Sequence, residues 1–211
     1  MEVVYSNSKD YRTVDKDIIG IIGDITYLDK YIDTTGISYK DNWTVRRFLN
    51  GLRINLNPRI KDIFSYLELD IKYLNNKISD LSHTIYKYIM LAYLLLNNKR
   101  FIIFDYFDAG LSYKEQKKVI NITRKMHDAG FKVVLISNNY VFLSKRVDII
   151  IVTDNNKEVF AGTIEELLKK RKYIKDTSII DFIETANKNK AKLYYTFDRN
   201  ELLKDIYRSV S

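Results

Sequence analysis

Phe101-Ile-Ile-Phe-Asp105 and, one amphipathic stretch later, Lys132-Val-Val-Leu-Ile-Ser137 are the two runs that decide the fold. Both are short and apolar almost without interruption, the pattern of strands covered on both faces of a sheet. Between them Ser112-Tyr-Lys-Glu115 has the spacing of a capping box, and Gly130 supplies the residue that ends a helix. Strand, helix and strand in that order predict parallel pairing. Asp17-Ile-Ile-Gly-Ile-Ile-Gly-Asp24 is a third run of the same kind.

Working outward, the residues from Thr44 to Leu96 read as helical. Thr44 to Leu52 opens this block, and Pro58 starts a second helix with the apolar stripe Ile60, Ile63, Phe64, Leu67 and Leu69. A third helix covers about His83 to Leu96. Downstream, a short helix near Tyr140 to Lys145 precedes strands at Asp148–Thr153 and Glu158–Phe160, joined by a hairpin turn at Asp154-Asn-Asn156. Thr163-Ile-Glu-Glu166 is a second capping box, and its helix continues to about Arg171. Residues 174 to 211 hold two more helices, the last capped by Asp198 with Glu201 three positions on. The expectation is an α/β sheet domain over residues 1–168 with a helical insertion at about 43–97, followed by a C-terminal helical extension over 169–211.

Composition narrows the function classes. With 211 residues and 46% hydrophobic content the chain can bury a core of its own. The longest apolar run, Tyr88 to Leu96, is too short to span a bilayer. The opening residues, broken by Asp10, Arg12 and Asp15, do not resemble a secretory signal. A cytoplasmic protein is expected. The absence of Cys removes disulfide and thiolate chemistry, and His83 and His127 have no visible partners for a metal site, so no metal is expected.

The net charge of +8 admits nucleic acid or an anionic membrane surface as a partner. The basic residues are dispersed along helices as on a solvated face, so no nucleic acid is expected. Their one cluster, Lys169-Lys-Arg-Lys172, falls near a helix end, where cations suit the helix dipole.

The order of elements and the local wording from Leu81 to Leu167 resemble the ATP-binding subunit of ABC transporters. The residues that carry the resemblance are Leu81-Ser-His-Thr-Ile85, Met90 to Leu96, Phe101-Ile-Ile-Phe-Asp-Tyr-Phe-Asp-Ala-Gly-Leu-Ser112, Glu115-Gln116, Leu135-Ile-Ser-Asn138 and Ala161-Gly-Thr-Ile-Glu-Glu-Leu167. Upstream, Asn42-Trp-Thr-Val-Arg-Arg-Phe-Leu49 is similar to the phrase after the family's Q-loop. The likeness covers roughly residues 15 to 168 and implies the ABC ATPase fold, shortened at its N-terminus.

The departures fall where the family holds nucleotide. The phosphate cradle G-x-x-x-x-G-K-[ST] occurs nowhere, and none of the seven glycines is followed by Lys. After Gly23 stands Asp24, a negative charge where the resemblance puts phosphate. Tyr11 is a weak match to the adenine-stacking aromatic, and Lys40 or Asp41 stands in place of the Q-loop Gln. Asp105 matches the magnesium-binding strand-end carboxylate, but the next position, the family's catalytic carboxylate, is Tyr106, whose phenol with a reference pKa of about 10 is no base near neutral pH. Asp108 reads as a turn stabiliser. Asn138 replaces the switch histidine, and Ser112 stands for the D-loop Asp while also explaining the cap. In the signature-like loop Ser82 remains, with His83 and Thr84 in place of glycines.

The sequence therefore reads as a catalytically inactive ABC-type subunit that is not itself an enzyme. It is expected to bind no ATP or Mg in cis and to scaffold or regulate a transporter. The partners expected are an active ATP-binding subunit, a membrane permease, or both. Membrane contact would come only through the partner, at the inner face of the cell membrane. Trp43, Arg46, Arg47 and Phe48 are the candidate permease contacts. The alternatives are half of a composite ATPase site, using Ser82 and Asp105 beside an intact partner, or a freestanding basic binding module.

Overall fold

The computed structural model describes residues 4–7, 18–23, 32–33, 39–51, 53 and 55–210. Tyr11 and Asp24 lie outside them. Among the described residues seven strands form one sheet: β1 (Val4–Asn7), β2 (Ile19–Ile22), β3 (Ile32–Asp33), β4 (Phe101–Asp105), β5 (Lys132–Ile136), β6 (Ile149–Asp154) and β7 (Lys157–Gly162). Their spatial order is β3-β1-β4-β5-β2-β6-β7. The four central strands β4, β5, β2 and β6 are parallel, with Asp105 opposite Ile136, Ile136 opposite Ile21, and Ile22 opposite Val152. β1, β3 and β7 complete the edges antiparallel.

The central strands are apolar throughout because both faces are covered. Ile18, Ile22, Ile102, Phe104, Val133, Leu135, Ile150 and Val152 belong to the main core, while Ile19, Ile21, Ile103, Val134, Ile136 and Ile151 form a second cluster on the opposite face. This is the period of two expected of a strand whose alternate side chains point to opposite faces. β6 and β7 meet in a two-residue turn whose Asn155 and Asn156 have φ of 47° and 59°. Positive φ at both central positions is the turn whose twist matches a hairpin, and Asn tolerates it.

Between β3 and β4 the chain is helical: α1 (Val45–Asn50), α2 (Pro58–Tyr66) and α3 (His83–Leu96), with 3-10 turns at Ile71–Asn75 and Ile78–Asp80. The apolar stripe runs past the end of α2, so that Leu67 and Leu69 are buried beyond the helix they were expected to extend. Asn50, also buried, closes the connection after α1 by donating to the carbonyls of Arg53 (2.6 Å) and Asn55 (3.1 Å) and accepting from the Asn57 N–H (2.9 Å). α4 (Tyr113–Asp128) carries the expected capping box at Ser112 and Glu115, and α6 (Ile164–Lys169) the one at Thr163 and Glu166. α5 (Tyr140–Ser144) follows β5.

The extension consists of α7 (Ser178–Lys188) and α8 (Arg199–Val210) around a small cluster of Ile183, Leu193 and Leu202. It is tied to the sheet domain by the Tyr140–Phe197 ring contact at 5.2 Å and by the Lys145–Asp198 ion pair. Burial alone would raise the Asp198 carboxyl, but the Lys145 ammonium and the Asn200 and Glu201 N–H groups outweigh it and hold it below the usual carboxylate range. A depressed carboxylate stabilises the fold fully above its unfolded value near 4, and that contribution is lost as pH falls through the lower folded value. Asp198→Asn is therefore expected to cost about 2 kcal/mol at pH 7, with the deficit closing as pH falls through the depressed folded value; urea unfolding of both proteins from neutral to acid pH checks it.

Candidate functional site

The carboxyl ends of β4, β5, β2 and β6 lie side by side, the end of an open α/β sheet at which ligand crevices form. Asp105 closes β4 and is half-buried. Tyr106 follows with φ of 45°, an uncommon conformation for a bulky L-residue. Its N–H donates to the Ile136 carbonyl (2.9 Å), and its phenol donates to the Gly23 carbonyl (2.6 Å). Because β5 lies between β4 and β2, the ring crosses the end of β5 and packs against the second-face cluster. Gly23 has φ of 142°, and a Cβ there would lie 1.8 Å from Thr153 Oγ1, so only glycine allows β2 and β6 to close at this point. Thr153 Oγ1 in turn donates to the Ile22 carbonyl (3.2 Å).

The loop after β4 is built around a buried cation. Lys87, on α3, has no solvent exposure, and its ammonium donates to the carbonyls of Phe107 (2.8 Å), Ala109 (2.7 Å) and, at 3.5 Å, Tyr106. Desolvation lowers its pKa, and the negative charge of Asp108 and Glu115 opposes that shift. Asp108 is buried too. It accepts from Ser137 Oγ (2.9 Å), and the same hydroxyl accepts from the Asn139 N–H (2.9 Å). Burial raises the Asp108 carboxyl, the Ser137 hydrogen bond and Lys87 acting against it. Asp108 therefore ties the loop after β4 to the turn after β5. The expectation of a local turn stabiliser is corrected: the turn is closed by its backbone instead, Leu111 N–H donating to the Asp108 carbonyl (3.1 Å).

The remaining predicted residues divide by position. Asn138 is exposed, one residue past Ser137 at the same rim. Ser112 is exposed and engaged in the α4 cap, with Glu115 accepting from its N–H and its hydroxyl at 2.7 Å each. Ser82 caps α3 by accepting from the Ile85 N–H (3.3 Å), and His83 lines a cleft of about 350 Å³ beside Tyr39, Asp41 and Tyr86. Lys87 connects this helix to the rim, and Ser82 lies five residues before it, about 7.5 Å along the axis. Of the candidate permease contacts, Arg46 and Arg47 are exposed and Trp43 is half-buried, with the Arg47 guanidinium 4.7 Å from the Trp43 ring centre. Phe48 is not exposed beside the two arginines but lines, with Trp43, a cleft next to them. It is buried, stacked on Tyr93 at 4.7 Å and edge-on to Tyr39 at 5.3 Å, because helical spacing turns it inward from Arg46 and Arg47.

Sequence reasoning missed Lys87, the Asp108–Ser137 tie and the Tyr106–Gly23 bond. Lys87 left one signal, as the single charge between Ile85 and Leu96. Tested against a magnesium nucleotide, the rim fits in part. Asp105 is a strand-end carboxylate of the kind that suits a cation, but the Tyr106 side chain reaches across the end of β5 to Gly23 and the Lys87 ammonium is engaged by carbonyls. Among the described residues no group of three His, Cys, Asp or Glu could hold a metal, and no helix is long and apolar enough to cross a membrane.

Comparison with known proteins assigns the fold. An ATP-binding cassette of an ABC transporter in its ADP conformation superposes with a TM-score of 0.58 at 15% identity, over 87% of this chain and 99% of that one. CbiO1 from Clostridium perfringens, part of the ABC transporter complex CbiONQ, gives 0.57 at 11% identity over 87% and 99%, and a nucleotide-free cassette 0.59 at 14% over 83% and 98%. The chain has the ATP-binding-cassette fold, as its sequence led us to expect. In sequence it is similar to a Clostridium perfringens (strain 13 / Type A) protein named "Putative ABC transporter ATP-binding protein", 28% identical over 114 residues, which are 52% of this chain. The match spans about a fifth of that relative, 20% of its length. No family model matches.

These matches overturn the expectation that the chain is no enzyme. The similar proteins are ATP-binding subunits and cassettes of transporters, one of them in an ADP conformation, and such subunits are ATPases. The described residues carry no positive sign of inactivity; a missing phosphate motif describes this chain alone and not a site shared between chains.

The loop built on Lys87 is open to direct measurement. Lys87→Met keeps the volume and removes the donor, leaving the buried Phe107 and Ala109 carbonyls unpaired. A loss of about 3 kcal/mol in urea unfolding is expected; a loss below about 0.5 kcal/mol would show that water replaces the ammonium.

Proposed function

We propose that the chain is an ATP-binding-cassette subunit of a membrane transport complex, working beside a second cassette chain and docked on a permease at the inner face of the membrane. The observation that carries this reading is the sheet and its helical insertion, superposable on nearly the whole of known transporter cassettes. One of these, CbiO1, is itself part of a multi-subunit transporter complex. The rim supports a shared nucleotide site. The sequence offers no phosphate cradle of its own, so the cradle comes from the second cassette.

This chain's residues then have three tasks. Lys87, Asp108 and Ser137 fix the loop that ends β4. The start of α3, capped by Ser82, presents backbone N–H groups and the positive end of a helix dipole to phosphate held by the partner chain. Trp43, Arg46 and Arg47 offer an aromatic and cationic surface to the permease, beside a cleft of about 350 Å³ that reaches from Trp43 to Arg53 and Tyr93. The nucleotide supplies the energy of transport when bound.

The test is purification of the tagged full-length chain from detergent-solubilised membranes, with ATP hydrolysis measured in the recovered complex. Recovery with a membrane subunit and a hydrolytic activity is expected, and Arg46→Glu with Arg47→Glu should reduce both at least tenfold while leaving the melting temperature unchanged. A chain recovered free of membrane protein, or a complex without nucleotide turnover, would overturn the reading.

A further inference from the structure

The loop between α7 and α8 is fixed in its backbone and unpaired in its charges. Asn187, in the last turn of α7, clamps it: the side-chain amide donates to the Leu193 carbonyl (3.0 Å) and accepts from the Leu193 N–H (2.8 Å). Leu193 is buried with Ile183 and Leu202, so the five residues from Lys188 to Lys192 leave and return at one point. Lys190 has φ of 71°, and the Ala191 N–H donates to the Ala186 carbonyl (3.0 Å) to close the helix. Glycine is the usual residue at this left-handed position after a helix, so a lysine there costs conformational energy and contributes a charge. Beyond the clamp the Tyr194 N–H donates to the Asp205 carboxylate of α8 (2.6 Å).

What the loop presents is cationic and aromatic. Lys188, Lys190 and Lys192 are exposed, as are Tyr194 (79%) and Tyr195 (45%), and no acid occurs between Glu184 and Asp198. The two tyrosines line, with Glu165, Leu168 and Lys169 of α6, a cleft of about 210 Å³, so the end of α6 adds a fourth lysine. None of these four lysines has an ion pair among the described residues, because the acids nearby are engaged elsewhere. Asp205 accepts from Tyr194, Glu201 from the Thr196 hydroxyl (2.9 Å), and Asp181 and Glu184 pair with Arg171. Over residues 169–211, eleven Lys and Arg stand against six Asp and Glu, so the extension holds +5 of the chain's +8.

We infer that this loop is a lipid-binding surface that sets the chain against anionic headgroups, a contact of its own beyond the one a permease supplies. Tyrosine joins an apolar ring to a polar tip and suits the headgroup level of a bilayer, while lysine lays its stem along the surface and keeps its ammonium in water. Each lysine held near an anionic membrane strengthens binding by about fivefold. A second copy of the chain would bring the same positive charges and be repelled. A nucleic-acid strand is held along a charged groove, and the cleft at this loop is too small to track one. The choice of lipid rests on the proposed function, which places the chain at the membrane. Vesicles contain no permease, so the two readings fail separately.

Sedimentation of the full-length protein with vesicles reads the surface. Binding to vesicles of equal parts phosphatidylcholine and phosphatidylglycerol is expected, stronger than to phosphatidylcholine alone and weakening as salt rises. Lys188→Gln, Lys190→Asn and Lys192→Gln together remove three charges, and Asn tolerates the left-handed position. Binding by this triple variant should fall about a hundredfold with the melting temperature unchanged. Tyr194→Ala should weaken binding severalfold even at high salt, which loss of charge would not do. No binding to either vesicle, equal binding to both, or unchanged binding by the triple variant would overturn the surface. Tighter binding to single-stranded RNA than to the anionic vesicles would overturn it as well and make the loop a nucleic-acid site. A chain recovered with a membrane subunit but indifferent to vesicles would keep the transporter reading and remove the lipid surface; vesicle binding by a chain recovered without that subunit would do the reverse.

Discussion

A fully buried ammonium is the constraint on which the strand-end rim of this molecule depends. Lys87 lies on a helix whose remaining residues from Ile85 to Leu96 are uncharged, and its charge has no access to water. Burying a cation without partners costs far more than a small domain can absorb. The loop after β4 therefore turns its carbonyls inward at Phe107 and Ala109. That geometry has consequences at both ends of the loop. It helps to fix Tyr106 at positive φ and brings Asp108 beneath the surface, where Ser137 and the nearby ammonium offset its burial. The helical insertion and the sheet are thus joined by electrostatics at the rim as well as by apolar packing beneath it.

The fold was legible wherever local pattern and tertiary environment agree. The central strands announced themselves as continuous apolar runs because both sheet faces are covered, and two capping boxes marked α4 and α6 through side chains only three residues apart. β1 and β3 gave no such signal. β1 finds its partner in β4, with Val4 opposite Phe104, and a pairing across that much chain has no local signature in a single sequence. The same division holds at the site. Asp105 and Tyr106 were placed at a strand end by the run that precedes them, but the bond from Tyr106 to Gly23 spans 83 residues, and nothing near either residue encodes it. Phe48 differs from Arg46 and Arg47 for a related reason: neighbours in sequence do not share a helix face, and Phe48 turns inward to the cleft floor beside Trp43.

The error about activity has a different origin. Loss of the phosphate motif and of a carboxylate after Asp105 was read as loss of chemistry, an inference from one chain to a reaction. A fold positions groups and does not by itself decide which chain supplies them. At the start of α3, Ser82 and His83 are exposed, Ser82 capping the helix and His83 lining a cleft with Tyr39 and Tyr86, where a second molecule has access to them.

Seen from the rim, the substitutions are not a random erosion. A phenol at position 106 needs an acceptor at the far side of β5, and Gly23 provides it only because Thr153 closes against a residue without a Cβ. Asp108 needs a hydroxyl at the end of β5, and Ser137 provides it while also accepting from the Asn139 N–H at the start of α5. Tyr106 and Asp108 are thus each matched by a partner at the end of a different strand, the consistency across levels expected of a well-specified fold. A rim that had merely lost its ligand would leave such polar groups to water; here Tyr106, Gly23, Asp108, Ser137 and Thr153 are turned on one another across the ends of four strands.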